Sequence, residues 1–163
     1  VKERFQRQAP SCKPEALRPG LTLAACRLSL DPMPSEFHIR SHRKYEMLDI
    51  TPQVAKLVRE TAVADGICSV YVTHATAAIV INENDDPNVC LDVLDALDKL
   101  IPEGVWRHDR VDNNAAAHIK AAILGPGETI PVRDGALVLG TWQAIMLVEL
   151  DGPRDRRVIV TVR

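Results

Sequence analysis

Aromatic residues are scarce, at 4% of the 163-residue chain, so its interior has to be filled by Val, Ile, Leu and Ala. Basic charge is not in excess either. The formal net charge is −2, which argues against a general nucleic-acid binder but leaves room for a small basic pocket. The four cysteines, Cys12, Cys26, Cys68 and Cys90, include no CxxC pair, which excludes a zinc ribbon or a thioredoxin-like motif. A disulfide framework is not expected in a chain of this size with a good core. Cys68 and Cys90 fall within apolar patterns and are expected to pack as small hydrophobes. No segment approaches the roughly 20 apolar residues of a membrane helix, and Val1 to Gly20 has no run long enough for a signal peptide. The expectation is a cytoplasmic protein without a membrane or nucleic-acid partner. No GxGxxG or Walker pattern occurs, and no organic cofactor is expected.

What is present is 46% hydrophobic residues, enough for one globular domain with a contiguous core. Residues 1–34 differ from the rest. Pro10, Pro14, Pro19, Pro32 and Pro34 interrupt any period, so this stretch is expected to be an N-terminal extension, mostly disordered and outside the fold. The start at Val1 and the internal Met33 suggest an over-extended translation start. The alternative is an arm that docks on a neighbouring subunit, which the apolar segment Gly20 to Leu30 keeps open. The domain proper is placed at 35–163.

Phe37 to His42 alternates as a half-buried strand should, and Tyr45 to Leu48 is expected to pair with it as a short hairpin. Thr51 and Pro52 give a cap and a first helical position, and Gly66 a left-handed stop, so a helix is expected over 52–65. Ile67 to Thr73 and Ala77 to Asn82 are β-branched and read as strands. Asp86-Pro87 opens a second helix that Pro102 closes. Asn113 or Asn114 caps a third, with Ile119, Ala122 and Ile123 on its buried face. Thr129 to Val132 and Ala136 to Leu139 flank Arg133-Asp134-Gly135, a strong hairpin signal. Gln143 to Leu150 and Arg157 to Val162 follow, joined by Asp151-Gly152-Pro153. The fold class is α+β, with about three helices and mostly antiparallel sheets.

Three histidines lie beside polar residues at element ends or in loops: His74, His108 and His118. Brought together, they would bind a zinc-like ion with one open position, hold a phosphate, or pass protons. The alternative is three unrelated surface or capping histidines. Asn82-Glu83-Asn84-Asp85-Asp86 follows a strand and opens a helix. Its carboxylates would repel a phosphate unless Mg²⁺ bridged them, and the plainer reading is helix capping. Trp142 offers a flat surface beside Gly140 and Gln143, or simply plugs the core. Arg154, in Glu149-Leu150-Asp151-Gly152-Pro153-Arg154, has the fork for bidentate phosphate binding, or is a surface residue of a tight turn.

Taken in order, His74 to Ile79 (HATAAI), Ile81 to Pro87 (INENDDP), Asn113 to Lys120 (NNAAAHIK), Leu139 to Gln143 (LGTWQ) and Glu149 to Arg154 (ELDGPR) resemble the YjbQ family, of the secondary thiamine-phosphate synthase type. The resemblance spans roughly residues 37–163. It implies a homotrimer with a histidine-rich pocket near the subunit interfaces. It implies His74, His108, His118, Glu83 and Arg154 as catalytic residues, with the three histidines also as ligands of a divalent metal, Mg²⁺ or Zn²⁺. Asn82, Asn84, Asp92, Trp142, Gln143 and Glu149 fall on positions for a small phosphorylated substrate. The implied reaction is a transfer in thiamine biosynthesis, joining an aminopyrimidine diphosphate to a thiazole phosphate with release of pyrophosphate. The alternatives are a non-catalytic trimer that binds a metal or a phosphate, and a three-histidine metal-dependent hydrolase.

Overall fold

The structure is a computed structural model that describes residues 34–163. The expectation for the N-terminal extension therefore lies, but for Pro34, outside the described residues. In chain order the elements are β1 (Ser35–Arg40), β2 (Glu46–Asp49), α1 (Thr51–Glu60), β3 (Gly66–Val72), β4 (Ala77–Glu83) and α2 (Pro87–Leu100). A short 3-10 turn (Arg107–Arg110) then leads to α3 (Ala115–Leu124), β5 (Gly127–Arg133), β6 (Ala136–Leu137), β7 (Gln143–Glu149) and β8 (Asp155–Val162). All strand pairings are antiparallel, and the α+β expectation holds.

Two sheets face each other. One has the order β1-β8-β3-β5-β6, the other β2-β7-β4. Between them lies the main core: Val70 and Val72 from β3, Val158 and Val160 from β8, Ile79 from β4, Ile145 and Leu147 from β7, with Val54 and Val58 of α1 at one side. A smaller apolar layer forms on the far face of the three-stranded sheet, where Ala117 and Ala121 of α3 pack on Ala78 and Val148. Strand β7 is thus covered on both sides, which is why Ala144 to Val148 is an unbroken apolar run rather than an alternating one.

Local signals place most elements. Asp86 caps α2 by accepting the Asn88 N–H at 2.9 Å, and Pro87 begins the helix. Asp134 and Gly135 both take positive φ, +51° and +71°, as the tight turn between β5 and β6 demands. Four expectations are corrected. Strand β2 does not pair with β1; it pairs with β7 in the other sheet, while β1 pairs with β8. Helix α1 ends at Glu60, because Thr61 is extended and turns its hydroxyl onto the Val58 carbonyl at 2.7 Å. Gly66 therefore stops no helix. It begins β3, where a Cβ would lie 1.9 Å from the Arg163 carbonyl oxygen. The buried face of α3 is Ala115, Ala116, Ala117, Lys120 and Ala121, whereas Ala122 and Ile123 are exposed. Small side chains let α3 sit close on the sheet, so its face is set by size rather than by hydropathy. Asp151-Gly152-Pro153 joins β7 to β8 as expected, but carries the chain from one sheet to the other.

Candidate functional site

The first residues of the β3–β4 turn, the start of α3 and the β7–β8 turn meet at one end of the sandwich. They enclose an open recess of about 460 Å³ lined by His74, Thr76, Asn114, His118, Asp151, Arg154, Asp155 and Arg156. His74 and His118 also line a neighbouring, more apolar hollow of about 510 Å³ with Tyr71, Ala77 and Ala121. His118 and His108 in turn border a third, of about 500 Å³, beside Trp106 and Ile119. His118 is therefore the hub. Its ring meets that of His108 edge to face, with centroids 5.2 Å apart and an interplanar angle of 83°.

The floor of the recess is a buried ion pair. Strand β8 alternates, so Arg156 points inward with Val158, Val160 and Val162. On β7, Glu149 follows Ile145 and Leu147 on the face between the sheets. Glu149 is fully buried and Arg156 is 2% exposed. Arg156 Nε donates to Glu149 Oε2 at 2.7 Å, and Nη2 donates to Oε1 and, at 3.0 Å, to Thr76 Oγ1. Glu149 also accepts the Ser41 hydroxyl at 2.8 Å and the backbone N–H groups of Leu150 and Asp151 at 2.9 and 2.8 Å. Burial pushes the Glu149 carboxyl upward, but the hydrogen bonds from Arg156, Asp151 and Ser41 outweigh it and hold it below the usual carboxylate range.

His74 Nε2 accepts the backbone N–H of Arg157 at 3.1 Å. An imidazole nitrogen that accepts carries no proton, so the neutral ring bears its hydrogen on Nδ1. Burial lowers the affinity of His74 for a second proton, and the Arg156 charge lowers it further. His118 is held close by α3. Two residues on, the fully buried Lys120 donates to Asp98 of α2 at 3.1 Å and lies 4.5 Å from the ring centroid of Tyr45. That contact pins the helix to α2 and to the residue preceding β2.

Arg154 is turned back on its own loop. Its Nε donates to the Asp151 carbonyl and its Nη2 to Asp151 Oδ2, both at 2.8 Å, though the side chain is half exposed. Asp151 Oδ2 also accepts Asn114 Nδ2 at 3.0 Å.

The structure divides the sequence-expected residues into two groups. His74, His118, Glu149 and Arg154 share one end of the sandwich, with His108 against His118. Asn82, Glu83 and Gln143 lie at the other, since Glu83 pairs with Gln143 whereas Ala77 pairs with Glu149. The six residue steps from Ala77 to Glu83 span about 20 Å. Asn84 donates to Asp49 there, Gln143 accepts the Gly140 N–H, and Asp92 is exposed on α2. Trp142 is 59% exposed and plugs no core. Glu149 does not face a ligand: its oxygens are consumed by five donor groups, a structural role. Arg156, which the sequence reading missed, is the charged residue at the floor. Its signal was present in the alternation Arg156, Val158, Val160, Val162, which puts an arginine on a core-facing row.

The described residues of one chain do not form a metal site of three His, Cys, Asp or Glu ligands. His74 has moreover committed Nε2 to backbone. A three-histidine hydrolase centre within a single chain is therefore not what the fold builds.

A two-sheet α+β protein with a histidine- and arginine-lined recess at one end of its sandwich is the class these observations define. The chain belongs to the UPF0047 protein YjbQ-like family, whose model matches residues 35–163. It is 42% identical over 127 residues to UPF0047 protein MJ1081 of Methanocaldococcus jannaschii, covering 78% of this chain and 91% of that one. It is 40% identical over 121 residues to UPF0047 protein YugU of Bacillus subtilis, covering 72% and 89%. Among solved structures, a YbjQ-like protein of unknown function from Sulfolobus solfataricus superposes with a TM-score of 0.77 at 41% identity, covering 80% of this chain and 95% of that one. A YjbQ/UPF0047 protein of Clostridium acetobutylicum gives 0.76 at 44%, covering 79% and 99%.

These relatives correct the expected activity. They carry only the family designation, and the Sulfolobus protein is described as of unknown function, so membership brings no thiamine-phosphate synthase or transferase activity with it. Trp142 belongs to the end of the sandwich opposite His74 and Arg154. Among the described residues no helix is long and apolar enough to cross a membrane.

Proposed function

We propose that the recess at the β3–β4 turn binds a small anionic molecule and that its two histidines divide the work there. The observation that carries this is the convergence of His74 and His118 on one open recess floored by Arg156. His74, neutral and with Nδ1–H to give, serves as a hydrogen-bond donor to the anion. His118, whose ring makes no hydrogen bond to protein among the described residues, serves as the group that exchanges a proton. Calorimetric titration of the full chain with inorganic phosphate, pyrophosphate and citrate tests the reading. Binding of at least one anion is expected, weakened tenfold or more in His74→Ala and His118→Ala while circular dichroism stays unchanged. Undiminished binding in both variants overturns it. The same titration with Mg²⁺, with Zn²⁺ and with a chelator tests whether a divalent ion accompanies the anion.

The proposal includes association of three copies. Helix α2 buries none of its residues completely, and Leu91, Leu100 and Ile123 are more than half exposed, apolar surface of the kind that subunit contact covers. Light scattering on the eluting protein should give three times the chain mass; a monomer at micromolar concentration refutes this part.

A further inference from the structure

Two polar groups of the recess are left without protein partners, and they are of opposite kinds. Arg156 is almost entirely buried, yet its bonds to Glu149 and Thr76 use only Nε and Nη2. Among the described residues Nη1 has no acceptor. A guanidinium carries five N–H donors, so two remain to be given. Asn114 lines the same recess. Its amide orientation is fixed, because Nδ2 donates to the Asp151 carboxylate at 3.0 Å and a flipped amide would set oxygen against oxygen. That leaves Asn114 Oδ1 as a buried acceptor with no donor. Buried polar atoms are almost always satisfied, and an orphan at a recess wall is an invitation to a ligand atom of complementary kind. His74 Nδ1–H adds a further donor.

The recess therefore asks for negative oxygen atoms and, on the same small group, one hydrogen to donate. Sulfate meets the first demand and fails the second, since it has no proton at neutral pH. Hydrogen phosphate meets both, and so does the monoanion of a phosphate monoester. We propose that the recess selects a phosphate group that retains a proton, with Arg156 Nη1 and His74 Nδ1 donating to its charged oxygens and Asn114 Oδ1 accepting its P–O–H. This rests on the anion reading above and names the class of anion. No bond is made or broken in the step; it is recognition only.

The test compares inorganic phosphate with sulfate by calorimetry on the full chain at pH 7 and matched ionic strength. Phosphate is expected to bind about tenfold more tightly, the factor that one unmade hydrogen bond at a buried acceptor produces. In Asn114→Ala that preference should shrink to about twofold or less. To separate the two sources, glycerol phosphate is titrated at pH 5.5 and pH 8. The monoester loses its last proton near pH 6 and its binding should fall severalfold at pH 8, relative to inorganic phosphate, which keeps one. Sulfate bound as tightly as phosphate by the unaltered chain overturns the selection while leaving the anion site standing. Failure of every anion to bind at millimolar concentration overturns the site itself. Should Asn114→Ala fail to fold, the comparison of the two anions on the unaltered chain still decides the matter.

Discussion

Replacing Glu149 by Gln should be among the most damaging isosteric changes in this protein. The carboxylate is fully buried and gathers the Arg156 fork, the Ser41 hydroxyl and two backbone N–H groups. Glutamine has one acceptor oxygen where the carboxylate has two, and its NH₂ would face donors. The guanidinium of Arg156 would be left buried with its charge uncompensated, which costs about 3–5 kcal/mol. That is a large part of the about 5–15 kcal/mol that holds a domain together. At about 3 °C per kcal/mol for a domain of this size, the thermal midpoint should fall by about 9–15 °C in calorimetry at pH 7. The double variant Glu149→Leu/Arg156→Met removes both charges and should lose less, about 2 kcal/mol, the cost of the backbone N–H groups left without an acceptor. The pH dependence follows from the direction of the Glu149 shift. Its folded carboxyl titrates below the ordinary 4.5, so the stabilisation is complete above 4.5 and is lost as the pH falls below it towards the folded value. Glu149→Gln should flatten the stability profile in that acid window. A fall of less than 3 °C, or a double variant less stable than the single one, would refute the reasoning.

His74 should titrate below 6.5, its ordinary value, and long-range nitrogen NMR should show the Nδ1–H tautomer; a midpoint above 6.5 contradicts the Arg157 contact. Because that pKa is depressed, the stability it contributes is present above 6.5 and fades as the pH drops through the folded value. Gly66→Ala should destabilise by about 1–3 kcal/mol in urea unfolding, since the new methyl would meet the Arg163 carbonyl at the β3–β8 seam. An unchanged midpoint would mean that the C-terminal strand end yields freely.

Much of the local structure was legible before folding was considered. Asp86-Pro87 starts a helix because a carboxylate and a proline act on the next few backbone groups. Asp134-Gly135 turns the chain because those two residues accept positive φ. These signals need no distant partner. The family was legible as well, because its motifs lie in an order that the chain alone displays, and the match over residues 35–163 agrees. The candidate site was legible only in part. His74 and His118 stood out by residue type, and the structure does bring them to one recess. Asn82, Glu83, Gln143 and Trp142 stood out by the same logic, yet the length of β4 carries them to the opposite end.

By itself, then, the sequence determined where helices and tight turns begin, which strand faces are apolar, and the α+β class, since each depends on neighbours a few residues away. The tertiary structure alone decided which strand edges meet, so that β2 left β1 for β7, and why α3 buries alanines rather than Ile123. It alone set Glu149 against Arg156 and left Asn114 Oδ1, among the described residues, without a donor. Alternation tells which face a side chain takes, but not what lies across the gap. That is fixed only when the two sheets close and the cost of burying a charge selects the partner that can meet it.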